Sequence, residues 1–247
     1  MPHIITVTNQ KGGVAKTTTC ATLAHGLALA GKRVLIVDLD PQGQVATVLG
    51  VESEPCIYNL LVGIGVRADS LVRHARENLD IIPGDAHTSS AQTLMNAESR
   101  PVGAIQRAIS PLLPKYDYII IDTSPSLGGL QERAAWAATH VLIPVATDFL
   151  AVESLGKTMM FLNGLADRYK WDGLLVGILP TLYDTVTKES ATCLEALRAD
   201  KKHTLAPIRR ATVMRECAAV ARTIWEYDPG CGVAQDYRGL VDAIRRL

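Results

Sequence analysis

Lys11-Gly12-Gly13-Val14-Ala15-Lys16-Thr17-Thr18 follows the apolar run at residues 4–7 and leads into a second apolar run at residues 20–30. A β-rich run, a glycine loop and then Lys-Thr-Thr opening a helix is an arrangement that wraps the phosphates of a nucleotide. Glycine lets the backbone approach and turn its N–H groups inward. The helix N-terminus adds partial positive charge where the anion lies. In this reading Lys16 reaches the β- and γ-phosphates, and Thr17 offers its hydroxyl to Mg2+.

Two further strands end in acids. Val34-Leu35-Ile36-Val37-Asp38-Leu39-Asp40-Pro41-Gln42-Gly43 is an apolar run bounded by Gly31 and Pro41, the pattern of a buried parallel strand. Alternation places Asp38 and Asp40 on one side of its C-terminal end, where open α/β sheets bind ligands. A carboxylate pair there binds hydrated Mg2+ or orients a water. Tyr118-Ile119-Ile120-Ile121-Asp122-Thr123-Ser124-Pro125-Ser126 repeats the pattern, with Asp122 as a candidate metal carboxylate.

The plain phosphate-loop pattern G-x-x-x-x-G-K-[ST] is not met, because Gln10 and Ala15 stand at its glycine positions. A second lysine, Lys11, precedes Gly12-Gly13 instead. The stretch resembles the deviant Walker A box, K-G-G-x-x-K-[ST], of the ParA/MinD ATPases, and most closely the short ParA/Soj-type members. The resemblance implies ATP and Mg2+ as ligands. It makes residues 11–18 (Lys11, Gly12, Gly13, Val14, Ala15, Lys16, Thr17, Thr18) the phosphate loop and implies that Lys11 crosses a dimer interface to the partner's nucleotide. By the same resemblance D-x-D-P-Q-G is switch I: Asp40 positions the attacking water and Asp38 lies near the metal's water shell. Asp122 is then the Walker B acid, and Thr123-Ser124-Pro125 opens switch II. Leu179-Pro180-Thr181-Leu182-Tyr183-Asp184 resembles the family's L-P-T-x-Y-D. Pro207, Ile208 and Arg209 match the loop that packs on the adenine, although the usual I-P-R order reads Pro-Ile-Arg-Arg here. Asp148 aligns with an acid that reaches the partner's ribose. If the loop needs a positive φ at Ala15, the alanine costs on the order of 1 kcal/mol there.

The chain has 247 residues, 48% apolar and 5% aromatic, which suits one domain over 1–247 with a core of Val, Ile, Leu and Ala. Strands are expected at 4–8, 34–38, 79–82, 118–122, 140–145 and 174–180. Helices are expected near 17–30, 57–62, 67–76, 88–96, 101–112, 128–138, 151–168, 187–199, 212–222 and 233–246. This alternation implies a doubly wound, mostly parallel α/β sheet with helices on both faces, here a P-loop NTPase. Five cysteines without C-x-x-C spacing read as reduced thiols of a cytoplasmic protein. No apolar run approaches the ~18 residues that suggest a membrane span.

Basic and acidic residues balance at 25 each, but from Lys188 onward eleven basic residues face eight acidic ones. Lys201-Lys202-His203, Arg209-Arg210, Arg215, Arg222 and Arg245-Arg246 form the basic groups. Such a surface suits sequence-independent, salt-sensitive binding to double-stranded DNA. The resemblance implies an ATP-state homodimer on nucleoid DNA and a ParB-like or cargo-adaptor protein that stimulates hydrolysis. It also implies partition of a plasmid, a chromosome or a protein cargo. With the phosphate loop at residue 11, no N-terminal DNA-reading module is expected. Tyr237, Leu240, Val241, Ile244 and Leu247 fall at helical spacing and are expected to pack on the core rather than enter a membrane, as the last helix of MinD proteins does. Two alternatives stay open: a MinD-like membrane-surface switch and a metabolic ATP-dependent ligase of the same fold.

Overall fold

The apolar runs at residues 4–7, 34–37 and 118–121 become the three central strands of one sheet. In the computed structural model, which describes every residue except 64, 126, 127 and 201, seven strands carry the fold. They are β1 (His3–Val7), β2 (Val34–Asp38), β3 (Arg73–Arg76), β4 (Leu79–Ile82), β5 (Tyr118–Asp122), β6 (His140–Ala146) and β7 (Leu174–Thr181). Their order is β3-β4-β2-β5-β1-β6-β7. All pairings are parallel except β3 with β4. Ser126 and Lys201, named above, lie outside the described residues.

Alternation along the strands splits the core between the two faces. Ile5, Val7, Val34, Ile36, Leu79, Ile81 and Ile120 pack with the residues of α1 (Lys16–Leu29) and α11 (Gly232–Ile244). Ile4, Leu35, Val37, Ile82, Ile119 and Ile121 pack on the other face with α3 (Ile57–Val62), α4 (His87–Ala97), α5 (Ala104–Ile109) and α6 (Gly129–Ala137). A third cluster joins β6 to α7 (Ala151–Tyr169) and α8 (Lys188–Leu197). The C-terminal helix packs inward as expected: Tyr237, Leu240, Val241 and Ile244 are buried, whereas Leu247 is exposed.

Three expectations need correction. The helix expected at 67–76 is a short 3₁₀ turn, Ala68–Leu71, followed by the antiparallel edge strand β3. Its turn into β4 places Asn78 at φ 59°, a conformation asparagine tolerates; the charged run Arg73-His74-Ala75-Arg76 hides an edge strand. Two short helices escaped the periodicity: α2 (Gln44–Leu49) and α10 (Ile224–Tyr227). For α10 a signal was present, because Thr223 and Glu226 form a capping box. The remaining helix, α9 (Val213–Ala219), is shorter than expected.

His25 of α1 is 4% exposed, and its Nδ1 lies 2.7 Å from Thr223 Oγ1. Burial pushes its pKa below the ordinary histidine value, partly opposed by Glu226. The unfolded chain therefore binds the proton first as pH falls, and stability is lost below about pH 6.5. A urea-midpoint series from pH 7.5 to 5.5 should show this decline, and a shallower one in His25→Gln. Equal slopes in the two proteins would assign the decline to other groups.

Candidate functional site: a phosphate cleft at the strand ends

Register brings the three motifs together. Val7 lies opposite Asp122, and Asp122 lies opposite Asp38, so β1, β5 and β2 end at one level. The chain leaves β1 towards β2 on one side and later returns to β6 on the other. That reversal is where open α/β sheets leave a crevice. The cleft there measures about 560 Å³; Gly12, Gly13, Ala15, Lys16, Thr17, Thr18, Asp40, Pro41, Ser124 and Leu182 are among its walls.

The loop is pinned from below. Asn9 Nδ2 donates to the Pro144 carbonyl at 2.7 Å, and Asn9 Oδ1 accepts the Lys11 N–H at 2.9 Å. Thr181 Oγ1 donates to the Val14 carbonyl at 3.0 Å. Gly13 has φ 72° and Ala15 φ 63°, ψ 34°. The alanine thus occupies the left-handed region, so the condition posed by the sequence is met and the loop carries strain. Ala15→Gly should raise stability by about 0.5–1 kcal/mol, the relief of a left-handed Cβ less the entropy of an added glycine. Thermal melts check the sign, and an unchanged or lower midpoint would contradict the strain.

Helix α1 begins at Lys16 with no side-chain cap and no acidic residue in its first turn. Its leading N–H groups have no intrahelical carbonyls to meet, so this end is open to an anion. Lys16 is 7% exposed, and its Nζ donates to the Lys11 carbonyl at 3.0 Å. Burial lowers its pKa, while Asp122 and Asp40 act in the opposite direction.

Asp38 and Asp122 are both fully buried. Asp38 Oδ1 accepts the Asp40 N–H at 2.9 Å. Burial pushes the Asp122 carboxyl up to about 6, against hydrogen bonds from Thr17 and Cys20. Asp38 is raised well above the ordinary value by burial and then by Asp122. Asp122 Oδ2 is buried without a hydrogen-bond partner. A fully buried carboxylate oxygen without a donor, beside a second carboxylate and the Thr17 hydroxyl, fits a hydrated divalent cation. Asp40 stands at the rim, its Oδ1 accepting the Gln42 N–H at 2.9 Å.

Other expected residues lie elsewhere. Ile208 is 4% exposed and belongs to the core. Arg209 Nε and Nη2 hold Asp236 at 2.7 and 2.8 Å. Neither these two nor Pro207 lines the phosphate cleft. Leu182 does, at φ 52°, an unusual conformation for leucine. Lys11 Nζ contacts Asp148 Oδ2 at 2.5 Å within the same chain. Arg198, Lys202, Arg210, Arg215 and Arg222 are exposed, and none pairs with a carboxylate among the described residues.

Gly84 was missed. A Cβ there would sit 2.8 Å from the carbonyl oxygens of both Asp38 and Asp40. Only the Pro83-Gly84 pair after the fourth strand hinted at a turn at this place.

A family model described as an AAA domain matches residues 2–172. The chain is 36% identical over 99% of its length to the sporulation initiation inhibitor protein Soj of Bacillus subtilis, covering 98% of that protein. It is 31% identical over 95% of its length to the chromosome partitioning protein ParA of Caulobacter vibrioides, covering 91% of it. The solved structure of cobyrinic acid a,c-diamide synthase from Mycobacterium smegmatis, with bound ATP analog and magnesium, superposes with a TM-score of 0.82. It is 30% identical, with 100% of this chain and 95% of that one covered. With its P-loop NTPase fold, its Lys11–Thr18 box and relatives matched along nearly their whole length, the chain belongs to the ParA/MinD family, close to the ParA/Soj members.

Proposed function

We propose that this chain is a cytoplasmic, nucleoid-associated ATPase that dimerises around ATP, holds double-stranded DNA without sequence preference and positions a cargo. The cargo is a plasmid, a chromosome or a protein assembly. The observation that carries this reading is the second lysine, Lys11, which directly precedes the cleft-lining Gly12 in a loop already served by the buried Lys16 and lines the neighbouring hollow with Gln10, Pro125 and Leu150. In this reading one lysine completes the cleft from within, and the other serves a second copy.

Each residue has a role in this reading. Backbone N–H groups of residues 12–18 and the Lys16 ammonium hold the β- and γ-phosphates. Thr17 would hold Mg2+ directly and Asp122 through a water, with Asp38 close to its water shell. Bound there, the cation neutralises charge on the phosphate oxygens. Asp40 accepts a hydrogen bond from the attacking water and orients it in line with the γ-phosphate. Lys11 of each copy neutralises charge on the other's nucleotide. Because phosphoryl transfer depends mostly on positioning and electrostatics, turnover then depends on dimer closure, and a ParB-like or adaptor protein accelerates it. Pro207, Ile208 and Arg209 stay candidates for the adenine side, through backbone rather than the engaged side chains of Ile208 and Arg209. The unpaired cations between Arg198 and Arg222 supply the DNA surface. The relatives named for chromosome partitioning favour this use.

The test is DNA retention in a salt titration with ATP, ADP or no nucleotide. ATP should strengthen retention at least tenfold, with a steep loss as salt rises. Equal retention in all three states overturns the reading. A second reading, a metabolic ligase, draws on the likeness to the Mycobacterium smegmatis diamide synthase. Turnover stimulated by a small carboxylic acid and indifferent to DNA would select it. Co-sedimentation with anionic liposomes but not DNA would select a membrane-surface switch.

A further inference from the structure

Lys11 is not idle in the single chain. Its Nζ lies 2.6 Å from Asp148 Oδ1 and 2.5 Å from Asp148 Oδ2. The pair is partly shielded, with the lysine side chain 24% and the aspartate 43% exposed. Asp148 belongs to the loop between β6 and α7, and that loop is gripped by α8. Cys193 Sγ donates to the Asp148 carbonyl at 3.0 Å, and the Phe149 N–H donates to Glu189 Oε1 at 2.8 Å. Thr147 Oγ1 and Ser190 Oγ stand 2.5 Å apart, and Ser190 Oγ also accepts the Asp184 N–H at 3.0 Å. Two residues before Asp184 is Leu182, which lines the phosphate cleft. A continuous set of contacts thus runs from the cleft wall through the start of α8 to the carboxylate that holds Lys11.

We propose that Asp148 is a positioning residue, the resting counter-ion of Lys11. Closure of two copies transfers each ammonium from its own Asp148 to the nucleotide of the other copy. This rests on the reading that Lys11 serves a second copy, and it adds what the lysine does beforehand. A carboxylate carries one negative charge, and a triphosphate carries several over more acceptor oxygens. The exchange is favourable with a triphosphate opposite and unfavourable with an empty cleft. Asp148 therefore opposes closure of nucleotide-free copies. Phe149 and Leu150, 86% and 46% exposed, follow Asp148 directly, and Leu150 lines a hollow with Lys11, so both would be covered in the same event.

The test compares the full chain with Asp148→Asn and Asp148→Glu. Asparagine keeps an oxygen for the Leu150 N–H, which Asp148 Oδ1 accepts at 3.1 Å, so the loop keeps its turn. The first measurement is the ATP-dependent dimer dissociation constant. Asp148→Asn should lower it by roughly two- to tenfold, since an exposed pair is worth little singly but two pairs open per dimer. Asp148→Glu should lie near the parent. The second measurement is the Lys11 side-chain ammonium resonance in the nucleotide-free protein. It should be observable in the parent and lost to water exchange in Asp148→Asn. An unchanged or weaker dimer in Asp148→Asn overturns the proposal and assigns Asp148 to the partner's side of the interface. If the parent fails to dimerise with ATP, the functional reading fails. The ammonium measurement then still decides whether the resting pair exists, and its absence overturns the proposal independently.

Discussion

Asp40→Asn is expected to lower ATP turnover by roughly 10²–10⁴ while leaving ATP binding within about twofold. The separation of the two effects follows from what Asp40 touches. Its backbone N–H donates to Asp38 Oδ1, and its own Oδ1 accepts the Gln42 N–H. Asparagine preserves both contacts, so the loop after β2 keeps its shape and the phosphate cradle at Lys11–Thr18 is untouched. What is lost is the carboxylate's charge and its second acceptor oxygen, on a residue that lines the cleft. In the proposed role, a water aimed at the γ-phosphate needs that acceptor in the transition state, not in the ground state, so the expected loss falls on kcat. Phosphate release at saturating ATP measures the first effect, and titration with a fluorescent ATP analogue the second. Turnover within threefold of the parent would transfer the water-orienting role to another group. A parallel loss of binding would mean that Asp40 holds the nucleotide itself.

The doubly wound, mostly parallel sheet could be anticipated as a class because its central strands are continuous apolar runs, two of which end in an acid. Buried parallel strands leave no polar face to blur the pattern, so the runs ending at Asp38 and Asp122 announce both the strands and their use. The edge strand β3 had no such pattern. Its arginines and histidine serve the surface: His74 pairs with Asp80, and Arg76 reaches the Leu49 and Ala221 carbonyls and Glu226. At the site the same division recurs. The candidate phosphate and metal residues are read directly, since lysine, threonine and aspartate at fixed offsets from glycine have few other reasons to stand there. Residues that act through backbone geometry were hidden. The φ of Ala15 was posed by the sequence and answered only by the fold. The pairing of Lys11 with Asp148 joins positions 137 apart and has no local signal.

Gly84→Ala is expected to disturb the site more than its size suggests, destabilising the fold by about 1–3 kcal/mol and lowering turnover by tenfold or more. The loop after β4 and the loop after β2 meet backbone to backbone. A methyl group at residue 84 would stand 2.8 Å from the Asp38 and Asp40 carbonyl oxygens and 3.2 Å from Asp38 Cγ. The Asp38 carbonyl is not free to retreat, so the displacement falls on the loop that carries Asp40. Asp38 sits in a central strand, paired in register with Asp122 on one side, and its carboxylate holds the N–H groups of Asp40 and Val45. On the other side of the contact, a Cβ at Gly43 would meet the Gly84 carbonyl oxygen at 2.5 Å, and Gly43 also has φ 58°. The two glycines let the catalytic loop lie against its support with no side chain between them. An added methyl must push the loop after β2 outward by several tenths of an ångström, and Asp40 moves with it, away from the position the proposed water-orienting role requires. Urea unfolding and kcat measured together test this. Gly43→Ala should be worse than Gly84→Ala, because it adds a left-handed Cβ to the same collision. If both variants keep the parent's urea midpoint and turnover, the two loops separate without cost and the position of Asp40 is set from elsewhere.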